Sequence, residues 1–519
     1  MLLKLNNLGF QSINFDLEPC DLPPDILTYG INYRLLNNKI QGFNISRVLS
    51  TPPVNFYAGL IMPVIGQSGN FYLVVGRNAA YVYNGAQWYN VTSVIGYNAL
   101  SEGDELLWQG CMLGKIPIIN NPNHFPEYWS PQSFTQKLQP LKFKPTDTWQ
   151  QMGYHAKIIR SHMTFLFALN LTEGADELPT TYRWSTAADI NGLPFTWDES
   201  DLSGIAGKAQ VSGAAGAIVD GLSLRDSFCI YSERAITMLD YVQGDFIFKA
   251  RTITSNHGLL AKNCVVEALG VHYFLSDGDI LYNDGNVVNS ILHKQLKSRL
   301  TNNLDSSNYT NSFAKVNPIT KEIWFCIPEN GHVYPSLAII YNYIDKTTSI
   351  RKLPSNLTGI DHGPVILQPL TYDNVTGTFN TIDKVISYDP TSQFSRTIVA
   401  VNNTNSSITS LELDDGNTEQ NIILERTGLV LEDQATVKTT QSVYPHMQCT
   451  GPVLIQLGSQ DYVGGPVRWK PSVEFWPSTQ RKVDIRTTGK LLAYKVSSIG
   501  NIPFTLTGLD IEYVTNGKR

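Results

Sequence analysis

The sequence predicts a mainly β protein, built as a β-propeller of six or seven blades with an additional C-terminal β-barrel or sandwich domain. One observation is a unit repeated from about residue 71 to residue 388, in which an apolar strand, a tight turn and an aromatic-rich strand follow one another. A second is the composition: 25 Tyr, 21 Phe and 9 Trp with only 16% charged residues suit half-buried pleated surfaces. A third is the scarcity of helix signals beside 39 Gly and 27 Pro, which supply turns.

The repeated unit is typical of stacked β-meanders. A lone meander exposes an apolar face and unpaired edges, whereas radial repetition buries the faces and leaves only short edges. Weaker copies begin at Ile118, Tyr182 and Val385, and the spacing is loosely that of blades of roughly 40 to 50 residues. The clearest copies are Phe71–Gly76 with Tyr81–Gly85, Ser227–Tyr231 with Ile236–Asp240, Val271–Leu275 with Ile280–Gly285, and Glu322–Ile327 with Ala338–Asn342.

The chain length predicts more than one domain, because 519 residues exceed the size at which a single core keeps growing. We expect residues 1–60 to close or lead into the propeller. Residues 61–425 are predicted to form it, with an Asn/Thr/Ser-rich insertion near 354–425. Residues 426–519 are predicted to form the C-terminal β domain, because apolar and polar residues alternate there.

One helix is predicted over Ile291–Leu304, where leucines recur every four residues and would line one face. The N-terminus has no charged region followed by an apolar core, so no secretory signal is expected. The longest apolar candidate, Gly213–Val219, is far shorter than the roughly 18 residues of a membrane span, so no membrane span is expected. Six dispersed cysteines indicate free thiols in a reducing cytoplasm.

The charge balance argues against a clamp on nucleic acid. Residues 1–424 hold 28 Lys and Arg against 37 Asp and Glu, and residues 425–519 hold 11 against 8. Proteins that grip phosphates show a basic excess, because affinity comes largely from neutralising phosphate charge. If the chain meets DNA, the balance favours a neutral or weakly repulsive wall along which DNA slides.

Motifs of enzyme chemistry are missing from the sequence, including phosphate loops, zinc-binding His-Glu-x-x-His and nucleophile elbows. His155 and His162 flank a strand-like segment and do not have metal-ligand spacing. Oxygen ligands cluster at Asp277, Asp279 and Asn283–Asn286, but hairpin turns explain them better than calcium. We therefore predict no catalytic, cofactor-binding or metal-binding residues, no cofactor, and no enzymatic activity.

A glycan-cleaving alternative rests on one segment, Tyr182–Asp189 followed by Gly192–Trp197, which faintly resembles the Asp-box turn of sialidases. Such an enzyme would also need three arginines converging on a carboxylate. Sequence alone does not show whether any three converge among Arg160, Arg183, Arg225, Arg234 and Arg251.

Three regions carry a more specific resemblance. The first is Leu22–Phe43, in which Asn32 and Arg34 precede a turn and Gly42. The second runs from Arg183-Trp-Ser to Phe195-Thr-Trp and leads into a Gly-rich stretch at 204–216. The third is an ordered series near the end, Val443–Pro445, Leu457–Asp461, Val467–Trp469, Lys482–Arg486, Gly489–Lys490, Gly508–Ile511 and Gly517–Arg519. Together they resemble the tail hub, or nozzle, proteins of short-tailed bacteriophages, often called packaged-DNA stabilisation proteins.

The resemblance implies a structural role in a virion tail that is assembled in the host cytoplasm. Family members look like homohexamers that extend the portal and adaptor ring, form the exit channel of double-stranded genome DNA without sequence specificity, and retain the packaged genome with a tail needle or plug. They also carry fibres or tailspikes. Two alternatives stay open: a propeller-type tail protein that binds or hydrolyses glycans, and a receptor-binding module.

Overall fold

The computed structural model describes residues 1–519 except 67–68, 98–99, 191, 202–203, 243–246, 293–294, 365–395, 413–420 and 519. Almost all of its regular structure is antiparallel β-sheet. The first five strands are short and lie outside the blade hairpins that follow them: β1 (Leu2–Asn6), β2 (Tyr29–Ile31), β3 (Tyr33–Leu36), β4 (Lys39–Gly42) and β5 (Arg47–Ser50).

Five four-stranded meanders follow, each a sheet of consecutive strands. Blade 1 contains β6 (Ala58–Gly66), β7 (Gly69–Gly76), β8 (Ala80–Tyr83) and β9 (Trp88–Asn90). Blade 2 contains β10 (Gln109–Leu113), β11 (Ile116–Asn120), β12 (Glu127–Tyr128) and β13 (Gln139–Pro140). Blade 3 contains β14 (Tyr154–His162), β15 (Phe165–Glu173), β16 (Asp176–Trp184) and β17 (Gly207–Gln210).

The next two meanders have the same strand order. Blade 4 contains β18 (Ile218–Leu224), β19 (Ser227–Ser232), β20 (Ile236–Tyr241) and β21 (Phe248–Thr254). Blade 5 contains β22 (Val265–Ala268), β23 (Val271–Ser276), β24 (Asp279–Asn283) and β25 (Val288–Ser290).

Two further blades complete a ring of seven. Blade 6 contains β26 (Phe313–Asn317), β27 (Glu322–Ile327), β28 (Leu337–Asn342) and β29 (Thr347–Lys352). Blade 7 contains β30 (Leu357–Pro364), β31 (Arg396–Asn402) and β32 (Ile408–Ser410), and its outermost strand is β5 from the N-terminal segment. The first strands of neighbouring blades contact one another around the ring, and β30 contacts β6. The predicted β-propeller is thereby confirmed, with seven blades.

Apolar layers between neighbouring blades hold the ring together. Phe71 of blade 1 packs with Trp129 of blade 2 in one such layer. At the closure, Tyr72 of blade 1 and Val399 of blade 7 share another. Large aromatic residues bury 150–250 Å² each, so these layers account for the aromatic-rich composition.

The remaining strands form two sheets over one apolar core, which is a β-sandwich. These strands are β33 (Ile423–Leu429), β34 (Thr436–Cys449), β35 (Val453–Gln460), β36 (Arg468–Trp469), β37 (Val473–Phe475), β38 (Val483–Asp484), β39 (Thr488–Gly489), β40 (Leu491–Ser498) and β41 (Phe504–Lys518). One sheet has the order β2-β33-β40-β35-β36, with β37 beside β35. The other runs β3-β4-β41-β34-β38, with β1 beside β41 and β39 beside β34. Pairing of Ile350 with Tyr33 joins the second sheet to blade 6.

The N-terminal segment therefore serves both parts of the molecule, since β1 to β4 belong to the sandwich and β5 completes blade 7. The stretch near 354–425, which was expected to hold an insertion, includes strands β30, β31 and β32 of blade 7. Its residues 365–395 and 413–420 lie outside the described residues, as does the weak repeat copy that begins at Val385.

The helices of the described residues are short: α1 (Trp149–Met152), α2 (Lys297–Asn303) and four 3-10 turns at Pro19–Asp21, Asp104–Leu107, Gly213–Ala215 and Tyr309–Asn311. The helix predicted over Ile291–Leu304 is wrong in extent, because α2 begins only at Lys297. Leu292, Leu296 and Leu300 are nevertheless fully buried in the core between the blades and the sandwich. Leu292 and Leu296 are buried from the segment before α2, and Leu300 is buried from α2 itself.

Candidate binding cavity at the propeller axis

The first strands of all seven blades converge on a central channel. Its cavity has a volume of about 420 Å³ and is lined by residues of β6, β10, β14, β18, β22, β26 and β30. At one end the channel meets a wider cavity of about 1360 Å³, which we call the mouth. Connecting segments form much of the mouth wall, above all residues 255–262 before β22 and residues 306–310 before β26.

An ion pair spans two of the inner strands in the channel wall. Arg160 on β14 binds Asp220 on β18 through two bonds, with Nε–Oδ1 at 2.9 Å and Nη2–Oδ2 at 2.8 Å. Asp220 also accepts a bond from the backbone N–H of Asn263 at 2.7 Å, and Arg160 Nη2 donates to the Asn263 side chain at 2.7 Å. Burial acts to lower the pKa of the Arg160 guanidinium, but the adjacent, fully buried Asp220 outweighs it and raises that pKa above its usual value.

A second pair lies further along the channel, where Lys315 Nζ on β26 is 2.9 Å from Asp361 Oδ2 on β30. This pair links blades 6 and 7. Both channel pairs combine a cation from one inner strand with an acid from the next. They stabilise contacts between blades and leave neither cation free to clamp a ligand.

Lys262 differs from these cations. It lines both the channel and the mouth, and its buried Nζ has no hydrogen-bond partner among the described residues. Burial of the ammonium lowers its pKa to about 7, although the charge of Asp220 acts in the opposite direction. No pattern in the sequence singles out Lys262, because its environment depends on the convergence of the blades.

The channel is too small for duplex DNA. Grooves about 8.5 and 7.5 Å deep on opposite sides make the duplex at least about 16 Å across. With a rise of about 3.4 Å, one base pair then occupies roughly 700 Å³, which exceeds the 420 Å³ of the whole channel cavity. One base pair of a duplex therefore does not fit in this cavity.

The five arginines weighed for a sialidase-like clamp do not converge. Arg160 binds Asp220, Arg251 binds Asp240, and Arg225 donates to the carbonyl of Gly270. Arg234 lines the mouth. Arg183 is buried in blade 3. The side chains of Arg160, Arg183, Arg225 and Arg251 each bind a different polar partner.

Arg183 and its neighbours form part of the blade core. Its guanidinium binds Glu173 at 2.8 Å, forms an ion pair with Glu199, and donates to the carbonyl of Trp197 at 2.9 Å. Trp197 is fully buried and lies edge-to-face on Trp149. The segment that resembles an Asp-box thus supplies the buried Arg183 to an ion-pair network with Glu173 and Glu199, whereas its Asp189 is exposed.

The other candidate ligands have structural partners. His155 stacks on Phe125, and the buried His162 is bonded to Ser223 Oγ at 2.9 Å. The Asp284 carboxylate accepts the backbone N–H groups of Asn286 and Val287, as expected of a turn. No cluster of three or more His, Cys, Asp or Glu in the described part of the chain has the geometry to hold a metal. All six cysteines are unpaired.

The region of the chain around Arg34 is also built into the core. Arg34 on β3 binds Glu322 on β27 (Nε–Oε1 2.7 Å) and Glu412, which follows β32 (Nη1–Oε2 2.8 Å). Arg351 on β29 forms a second ion pair with Glu412, and both arginines lie against the ring of Phe43. We call these four charged residues the closure network, because they join the N-terminal segment, blade 6 and the end of blade 7.

Comparison with solved structures finds distant similarity to propeller domains. No protein-family model matches the chain, and no curated protein matches it. Among solved structures, the AfRom2 CNH domain shares 8% identity and a TM-score of 0.39, covering 71% of this chain and 99% of that domain. The Pan2 WD40 domain of Neurospora crassa shares 7% identity and a TM-score of 0.38, covering 72% of this chain and 96% of that domain. The assignment of the fold rests on the sheet topology described above.

Hydropathy places no membrane-spanning helix in the part of the chain that the structure describes.

Proposed function

We propose that this chain is a virion structural protein that forms the tail nozzle or hub of a short-tailed bacteriophage. The observation that carries the proposal is the order of the three matching regions, which extend from Leu22 to the C-terminal residues. In this role the protein extends the portal and adaptor channel as a homohexamer. It retains the packaged DNA with a needle or plug, conducts the genome during ejection, and attaches fibres or spikes.

Two features of the structure support a structural role for the matching residues. Arg34 lies in the closure network, and Arg183 lies in the ion-pair network of blade 3. The closure network connects segments that are far apart in the chain, and the network of blade 3 connects β15, β16 and the segment that follows β16. Residues with these surroundings stabilise a rigid part, and rigidity is what a load-bearing ring requires.

The size of the propeller channel constrains how such a ring would conduct DNA. Because one base pair exceeds the volume of the channel cavity, the genome would pass through an opening that several copies enclose. The overall formal charge of −6 suits such a conduit, because a wall without a basic excess does not retain phosphates. Attachment of neighbouring rings and fibres would then use the outer blades and the sandwich.

Electron cryo-microscopy of the tail of the particle that encodes this chain tests the proposal. Six copies around a central opening beyond the portal are the expected result. Mass photometry of the purified 57.8 kDa chain, alone and with the portal and adaptor proteins, gives an independent measure of copy number. Peripheral trimers, or a particle without this chain, would contradict the proposal and would make glycan binding and hydrolysis the assays to perform.

A further inference from the structure

Lys262 lies where the mouth narrows into the channel. Of the residues that the structure describes, Lys262 and Thr310 line both cavities. Lys262 is in the segment that leads from blade 4 into β22, and Thr310 is in the segment that leads into β26. The two residues therefore mark the junction at which a molecule entering through the mouth would stop.

The charge of Lys262 is not compensated by the acids around it. The nearby Asp220 carboxylate already accepts two bonds from Arg160 and one each from the backbone N–H groups of Gly221 and Asn263. Asp104 also acts on Lys262 through space, but its carboxylate accepts bonds from the Asn123 side chain and the Ser101 backbone. When Lys262 is protonated, the junction carries one positive charge without a bonded counterion.

The charged form of Lys262 is energetically unfavourable here, because a buried charge without a partner loses its hydration. Its pKa is lowered by this burial to about 7, so the amine is largely neutral above that pH. A lysine has a flexible four-carbon stem and three donors that rotate freely. Because Lys262 lines both cavities, a rotation of this flexible side chain would turn Nζ toward either one.

We propose that Lys262, together with the hydroxyl group of Thr310, forms a binding site for a small oxyanion that enters through the mouth. The ligand class is a carboxylate or a sulfate- or phosphate-like group. Such an anion accepts hydrogen bonds from the ammonium and supplies the missing counterion. The mouth, with a volume of about 1360 Å³, has room for the molecule that carries the anionic group. The inference does not depend on the proposed role in a virion.

Trace labelling of the amines with acetic anhydride tests this site on the unmodified full chain. Labelling rates at individual lysines, measured by peptide mass spectrometry from about pH 5 to pH 10, follow the neutral fraction of each amine. Sulfate and acetate are the probes, since neither changes protonation in most of this range, and chloride at matched ionic strength is the reference. Lys157, an exposed residue that also lines the mouth, is the internal control.

Without a probe, Lys262 is expected to reach half-maximal labelling near pH 7, about three units below an ordinary lysine. A bound anion stabilises the ammonium form of Lys262 and so raises its pKa. If that pKa rises from about 7 by one unit, labelling of Lys262 at pH 7 falls about fivefold. Lys157 should not respond. The proposal is overturned if the probes leave Lys262 unaffected, slow both lysines equally, or if Lys262 is unlabelled at every pH.

Thr310→Val tests the second donor. Because Thr310 is exposed and makes no described bond with the core, this variant should fold normally. It is expected to need several-fold more sulfate for the same protection of Lys262. An unchanged requirement would remove Thr310 from the site.

Discussion

The closure network gives the sharpest prediction about stability. Replacing Glu322 with Gln removes the carboxylate that binds Arg34 at 2.7 and 2.9 Å, in a site where both side chains are at most 6% exposed. Removing one partner of a buried ion pair costs about 3–5 kcal/mol, because an uncompensated charge stays behind. Glu412 remains as a second partner of Arg34, so we expect about 3 kcal/mol for Glu322→Gln.

Asp461→Asn is a matched control. Asp461 binds Arg468 through two bonds of 2.7 Å, but these side chains are 59% and 60% exposed. An exposed pair contributes less than about 1 kcal/mol. Urea unfolding followed by circular dichroism and tryptophan fluorescence measures both variants. The two probes also show whether the propeller and the sandwich unfold together.

The double variant Arg34→Met/Glu322→Gln tests the mechanism. It removes one charge of each sign and leaves Arg351 with Glu412, so the buried site is neutral again. We expect the double variant to be more stable than the sum of the single changes predicts, by about 1–3 kcal/mol. Strictly additive costs, or a cost of Glu322→Gln no larger than that of Asp461→Asn, would refute the reasoning.

Three further variants address other parts of the molecule. The buried His272 is held neutral between the Tyr231 hydroxyl and the Ser223 carbonyl, and burial lowers its pKa to about 4. The stability that this neutral histidine contributes above pH 6.5 should therefore be lost as pH falls toward 4, by up to about 3 kcal/mol. In His272→Gln, the melting temperature should depend less on pH across this range. Gly59→Ala places a methyl group on the carbonyl oxygen of Glu105, so its melting temperature should fall by several degrees while a conserved circular dichroism spectrum shows that the fold is retained. Arg183→Met leaves Glu173 and Glu199 without their shared cation, so soluble yield and particle assembly should fall. Normal yield with loss of a hydrolytic activity would contradict the structural role of Arg183.

The blades were predictable because each meander carries its pattern locally. Val271–Ser276 and Asp279–Asn283 pair across a short turn, so alternation and turn residues within a dozen positions identify both strands. Blades 2 and 3 were harder to identify, since β12 and β13 have only two residues each and β16 is followed by a long connection before β17. Local pattern weakens where strands are short or where their partners are distant.

Three other features could not be predicted from local patterns. The pairing of β5 with β32 and of β1 with β41 joins residues from opposite ends of the sequence, and hydrophobic alternation does not identify distant partners. The leucine spacing before α2 predicted too long a helix, because apolar residues of a packed loop can also recur every four positions. Lys262 is an unremarkable residue in the sequence, and its burial depends on seven strands meeting at one axis.

The position of β5 in blade 7 has a consequence for biosynthesis. A ribosome completes β5 about 360 residues before it reaches β32, and at about 5–20 residues per second this interval lasts roughly 20–70 s. Throughout that time the outermost strand of the last blade has no partner, and the strands destined for the sandwich wait even longer. Six blades can form in the meantime, each from consecutive strands. Ring closure is therefore a late event in translation, when an early segment must still be free to join strands that have only just been made.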